Sequence, residues 1–300
     1  MKKTAPIMII LAGTLWGSMG LFVRKLNAAG LHSMEIVSLR SVVTTLLMGI
    51  FLLCYHKELF KIRIRDLWCF VGTGVFSIVF FNYCYFKTMT FSSLSVAAVL
   101  LYTAPSFVML FSFFLFGEKF TKTKVTALFL ALAGCVLVTG ILSDTRSLTV
   151  SGILTGLGAG IGYALYSVFC RYALERGYHT FTILFYTFLM ASLGGIPLTD
   201  WRQIGNVAFT DPARIGFVFV FVVVSTVLPY LLYTAGLQYV ENGKASILAS
   251  IEPVVATLIG IFLFREILTW MGLTGMALVL VSIFICNRKQ GVCDRRTESR

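Results

Sequence analysis

A chain of 300 residues in which 58% are hydrophobic and 13% charged does not read as a soluble globular domain, where charged residues run at about 25%. The cationic excess, formally +12, sits in short connectors between apolar runs and not along one stripe, which argues for membrane orientation and against nucleic acid as a partner. Seven cysteines without paired or metal-ligand spacing, and histidines only in connectors (His32, His56, His179), offer no disulfide framework, metal site or cofactor site.

Ten apolar runs follow one another, each near the length of about 20 residues that crosses a hydrocarbon core. The first, 7–26, follows Met1-Lys2-Lys3, is long for the apolar part of a signal peptide, and carries Trp16 near its middle between Gly13 and Gly17. The second, 35–54, contains Arg40 near its start, where a long stem could snorkel outward or pair with Glu35 or Glu252; a structural role is expected. The third, 67–87, holds Asn82, Tyr83 and Tyr85; the fourth, 93–116, holds Tyr102, Pro105 and Ser106 and ends in Gly117-Glu118. The fifth is 124–142, and the sixth, 152–172, carries Tyr163, Tyr166 and Ser167 with Gly156 and Gly160 spaced for close helix packing. The seventh is 181–199, and the eighth, 215–237, holds Pro229, Tyr230 and Tyr233. In the ninth, 244–264, Glu252 and Pro253 stand together near the centre, and the tenth is 268–287. Strand spans would instead show alternation over about ten residues, so the expectation is an all-α membrane protein.

With the N-terminus inside, 17 Lys and Arg residues fall on the inner side and 7 on the outer, which places both termini in the cytoplasm. Shifting the chain by 148 positions aligns Pro105 with Pro253, Glu118 with Glu266 and Thr121 with Thr269. Each half holds five spans, an odd number, so the halves must lie in opposite orientation: two inverted five-helix repeats, the plan of many secondary transporters with a site at the repeat interface.

Four stretches carry a resemblance to a known family: "LWGSMGLFVRK" (15–25), Arg40 in "SLRSVVTTLL", "AAVLLYTAPSFVMLFSFFLFGEKFT" (97–121) and "ASILASIEPVVATLIGIFLFREILT" (245–269). The chain resembles the ten-helix branch of the drug/metabolite transporter superfamily, built from two EamA-type domains. The pattern of a mid-helix proline, a terminal Gly-Glu and a threonine is complete in the first half; in the second, Arg265 replaces the glycine. The division expected is 1–147 for the first repeat and 148–300 for the second, which ends in a basic cytoplasmic tail. The resemblance implies architecture more than cargo, since members carry amino acids, nucleosides, sugars, drugs and other metabolites.

Glu252 is the deep carboxylate of the chain; the other acidic residues lie in connectors or at span ends. A charge at mid-bilayer costs about 2.5–3.5 kcal/mol on insertion scales, so the group must be neutral, paired or facing water, and such groups are usually functional. Ala245, Ala249, Glu252, Ala256 and Gly260 fall on one narrow helical face. Pro105, Pro229 and Pro253 each free a carbonyl one turn earlier and are expected to kink their helices. The substrate-binding candidates are Trp16, Asn82, Tyr83, Tyr102, Ser106, Tyr163, Ser167, Tyr230, Tyr233 and Glu252, with Glu252 also the proton-coupling candidate. Each tyrosine has helix-to-helix hydrogen bonding as its alternative. The cavity they suggest, formed by spans 1, 3, 4, 6, 8 and 9, is partly implied by the resemblance.

The function these readings support is a secondary transporter moving a small organic metabolite, amino-acid-like or amphipathic, across the plasma membrane (the inner membrane of a bacterium) by alternating access, with proton-coupled export as one form. A monomer suffices, because both halves are in one chain; the partners are the solute, the lipid bilayer and, in the coupled form, protons. The alternatives are a non-transporting receptor or assembly protein and a membrane-embedded enzyme. The latter lacks a catalytic pair, since every histidine and aspartate sits in a connector or tail.

Overall fold

The structure is a computed structural model and describes residues 3–141 and 149–288. Lys2, Arg146 and the distal basic tail, all used in the orientation argument, lie outside those residues. Among the described residues nine helices have the length and apolar composition of a membrane span. They are α1 (Ala5–Ala28), α2 (Ser33–Tyr55), α3 (Ile64–Phe91), α4 (Leu94–Phe116), α6 (Val150–Glu175), α7 (Thr180–Leu198), α8 (Pro212–Leu237), α9 (Asn242–Phe264) and α10 (Trp270–Arg288). The tenth, α5 (Lys122–Val138), has 17 residues and runs alongside α10. It starts two residues earlier than the sequence reading, and the expected end at 142 is outside the described residues. The connector after α7 also folds into a short helix, Trp201–Ala208, capped by Asp200.

The apolar side chains divide between an interior and an outward face. Phe188, Phe221, Leu237 and Ile183 are fully buried, whereas Phe114, Phe262, Leu46 and Phe284 point away from the bundle. Outward apolar side chains of this size would be a liability in water and are the normal surface of a helix in lipid.

The central helices are interrupted where the sequence placed proline. In α4 the helix stops at Leu101 and restarts at Ala104 with Pro105 in the first turn. In α9 it stops at Ala249 and restarts at Glu252 with Pro253 in the first turn. Proline has no N–H to give and is tolerated at a helix start, so each span becomes two half-helices. Pro229 follows a π-helical segment, Val223–Val227, in α8, and α3 carries a longer one, Gly72–Val79. The breaks are packed by glycine. A Cβ on Gly13 would stand 2.6 Å from the Ala249 carbonyl oxygen, and one on Gly17 2.7 Å from that of Glu252. In the opposite half, a Cβ on Gly160 would meet Thr103 Oγ1 at 2.8 Å and Leu100 O at 3.1 Å. The first helix of each repeat therefore presses a bare face against the broken helix of the other.

Candidate transport cavity

A cavity of about 530 Å³ opens between the halves. Its mouth lies at the end of the bundle away from the start of α1, beside Arg24, Asn27, Ser33, Met89, Leu94 and Glu266. Its inner part is lined by Trp16, Arg40, Asn82, Tyr85, Tyr102, Tyr163, Tyr230 and Glu252. Of the sequence candidates, Trp16, Asn82, Tyr102, Tyr163, Tyr230 and Glu252 are thus brought together.

Four candidates lie elsewhere. Tyr83 is on the outer face of α3, 42% exposed, with Lys87 Nζ 5.9 Å from its ring centroid. Ser106 is half-buried on α4 and does not line the cavity. Ser167 and Tyr233 are buried and bonded to each other, hydroxyl to hydroxyl at 2.8 Å. Their polar tips are satisfied between helices, the alternative that the sequence left open for every tyrosine.

Trp16 packs in a nest of rings. Its centroid stands 5.2 Å from Tyr230, 5.3 Å from Tyr233 and 6.3 Å from Tyr163. Tyr230 and Tyr163 meet it edge-on and Tyr233 is tilted, arrangements that hold the rings at defined angles. Asn82 is held by its own helix, Nδ2 donating to Ile78 O at 2.7 Å.

Glu252 is partly accessible and begins the second half-helix of α9, with the Tyr163 hydroxyl turned to its carboxyl. The small face expected around it is divided by the break. Glu252, Ala256 and Gly260 line the cavity, whereas Ala245 and Ala249 are sealed in the interior. A continuous helix would have kept all five on one side; the restart at Glu252 turns the carboxyl toward the open space.

Sequence reasoning did not bring α2 to the cavity. Ile36, Val37 and Arg40 of that helix line it. Arg40 is 2% exposed and forms none of the ion pairs with Glu35 or Glu252 that its position suggested. The Glu35 carboxylate instead accepts from His32 N at 2.7 Å and caps α2. The signal available was the depth of Arg40 itself; nothing in the sequence says which way it points.

The far end of the bundle is closed, and the closure is polar. Glu118 accepts from the backbone N–H of Asn242 at 2.7 Å and of Gly243 at 3.1 Å, capping the start of α9. Lys124 bridges Glu118, at 3.6 Å, and Glu241. Asp66 accepts from Arg176 Nε at 3.0 Å and from the Tyr178 hydroxyl at 2.7 Å. Burial, followed by the bond to Asp66, pushes the Tyr178 hydroxyl above its ordinary range, so it stays a donor. Apart from the Lys124–Glu118 contact, which lies within the first half, each of these bonds joins the first half to the second.

At the mouth the repeat-related acid behaves differently. Glu266 pairs with Arg24 at 3.1 Å, and both side chains are more than half exposed. Both acids follow a sharp left-handed helix end, Gly117 at φ 66° and Arg265 at φ 55°, and both backbone N–H groups bond back six residues, to Ser112 O and Gly260 O.

The model of the EamA-like transporter family matches residues 3–140 and again 150–288. An uncharacterized transporter of Bacillus subtilis, YxxF, is 29% identical over 99% of this chain and 94% of its own. An uncharacterized transporter of Archaeoglobus fulgidus is 32% identical over 68% of this chain and 71% of its own. The pseudopaline exporter CntI of Pseudomonas aeruginosa is 29% identical over 65% and 66%. A solved crystal structure superposes with a TM-score of 0.80 at 16% identity, over 96% of this chain and 97% of that one, a likeness of fold. The chain, with ten long helices among its described residues in two inverted repeats around a shared cavity, is a multi-pass membrane transporter of the EamA-like family.

Proposed function

We propose that this transporter moves a small organic metabolite by alternating access, the two inverted repeats exchanging the arrangement that each has at its own end. The observation that carries the reading is the unlike partnering of two repeat-related acids. Glu118 caps Asn242 and Gly243 at the closed end, while Glu266 is held by Arg24 at the open end. The 148-residue offset makes Leu94 and Ser95 the counterparts of Asn242 and Gly243, and both line the mouth with Glu266. In the opposite state Glu266 leaves Arg24 and caps the start of α4, closing the mouth, and Glu118 releases α9. Inverted repeats support such an exchange because one sequence plan packs in two ways related by a pseudo-two-fold rotation in the membrane plane.

The positive-inside bias supports both termini on the cytoplasmic side, so that the mouth faces outward. A carboxyl at the cavity wall is the group suited to take a proton when the solute leaves, so Glu252 is the proposed coupling residue. The name of the pseudopaline exporter supports efflux as the direction. Purified protein in proteoliposomes with an imposed pH gradient tests the reading, using a radiolabelled metabolite panel. Saturable flux that collapses with the gradient is the expected result. Absence of flux for every class of solute, with the protein folded and inserted, would remove the transport reading. A C-terminal reporter active only outside the cytoplasm would overturn the orientation.

A further inference from the structure

Arg40 is among the largest fully buried side chains of the molecule, and its donors are nearly all unused. Nη1 donates to the Met19 thioether at 3.5 Å, a weak acceptor, and Nε has no partner. Among the described residues no carboxylate forms an ion pair with it. A buried cation without a counter-ion is destabilising, and structural arginines in membranes are paired or bonded to backbone carbonyls. Arg40 instead lines the cavity whose wall also carries Trp16, Tyr230 and Glu252. Arg24 and Glu266, the other charged residues of the cavity wall, neutralise each other at the mouth.

A guanidinium presents a rigid planar fork of N–H donors that matches a carboxylate or a phosphate two bonds at a time, and the carboxyl of Glu252 on the same wall favours the less charged of the two. Glu252 offers the complementary surface for a cation, and Tyr230 stands within electrostatic reach of both charged groups. A volume of about 530 Å³ is ample for a solute of amino-acid size.

We propose that Arg40 is the carboxylate-binding residue of the cavity and that Glu252 receives the amino group of the same solute, so the cargo is a zwitterion carrying both. The inference rests on the transporter reading and narrows its substrate class. It also explains why the cation is tolerated: a bound solute supplies the missing counter-ion, and in its absence the open mouth lets water reach the fork.

The test uses the full-length protein in detergent and in proteoliposomes, with neutral, acidic and basic amino acids as probes. Each is compared with its methyl ester, its decarboxylated amine, its N-acetyl derivative and a phosphate monoester of similar size. Ligand-induced thermal shift and counterflow are measured on wild type, Arg40→Gln and Arg40→Lys. The expected result is that some free amino acids bind, their esters and amines lose about tenfold or more in affinity, and N-acetyl forms lose likewise. Arg40→Gln should abolish the preference for acid over ester, and Arg40→Lys should restore part of it. Because Arg40→Gln could misfold, the ligand series on wild type stands as an independent arm. Esters or amines binding wild type as well as the acids would overturn the proposal, as would a phosphate monoester binding more tightly than any acid. Flux of uncharged or purely cationic solutes with no response to any zwitterion would overturn the carboxylate assignment and leave the transporter reading standing. No flux of any solute would end both.

Discussion

Replacing Glu118 with alanine should shift the balance between the two states of the transporter rather than merely weaken it. The carboxylate accepts two backbone N–H groups, Asn242 at 2.7 Å and Gly243 at 3.1 Å, and its side chain is only 10% exposed. A hydrogen bond to a charged group contributes about 1.5–3 kcal/mol. Two such bonds share one carboxylate, and water reaches the freed helix start, so a combined loss of about 2–4 kcal/mol is reasonable. Lys124 keeps Glu241 as a partner and is not left unpaired. If the capped arrangement exists only when this end is closed, that loss moves the equilibrium by roughly thirty- to a thousandfold. The assay is the labelling rate of single cysteines, in a background without native cysteines, by a membrane-impermeant maleimide. Ser246→Cys reports the closed end, where Ser246 is buried, and Ser95→Cys reports the mouth. Glu118→Ala should accelerate labelling at residue 246 and slow it at residue 95, with Glu118→Gln in between. A folded Glu118→Ala protein with lower thermal stability and both rates unchanged would show that Glu118 is a helix cap and nothing more, and the alternating-latch reasoning would be wrong.

Glu252→Gln keeps shape and one acceptor while removing charge and titration, so it should bind solute more weakly and, even at saturating solute, lose accumulation driven by a pH gradient; retention of that accumulation in proteoliposomes would defeat the coupling role. Arg265 is the non-glycine residue at positive φ among the described residues, so Arg265→Gly should raise the melting temperature, the strain of about 1–2 kcal/mol being partly offset by the added freedom of the unfolded chain. Gly17→Ala places a methyl 2.7 Å from Glu252 O and from Val255 Cβ; it should destabilise by about 1–3 kcal/mol in detergent denaturation and reduce flux beyond its effect on yield, because it displaces the restart of α9. Ser167→Ala, which removes a hydroxyl bonded to Tyr233 away from the cavity, should lower thermal stability by about 1 kcal/mol and leave solute affinity unchanged in a binding titration.

The architecture was legible in the chain because lipid leaves few options. Backbone groups must bond within the segment, so about 20 apolar residues specify a spanning helix wherever they occur. Pro105 and Pro253 announced their breaks through a missing donor, and the repeat offset with an odd span number required inversion. Glu252 could be singled out by depth alone, because a carboxyl has no place among hydrocarbon tails.

What the sequence could not decide is direction around each helix axis. In a soluble protein the polar face of a helix shows where water is; here lipid and interior are both apolar, and α2 has little amphipathic bias to orient it. So Tyr83 and Tyr85, two residues apart, read alike, yet one faces outward and the other the cavity. Ser167 and Tyr233 read like cavity polar groups until the packing of α6 against α8 brought them into contact with each other. Arg40 had plausible partners in Glu35 and Glu252, and only the assembled bundle gave Glu35 to the backbone of His32 and left the guanidinium buried in the cavity wall without an ion pair. Glu118 and Glu266 match in sequence and differ in partner, because two inverted halves in one chain cannot both be closed around a cavity that opens at one end.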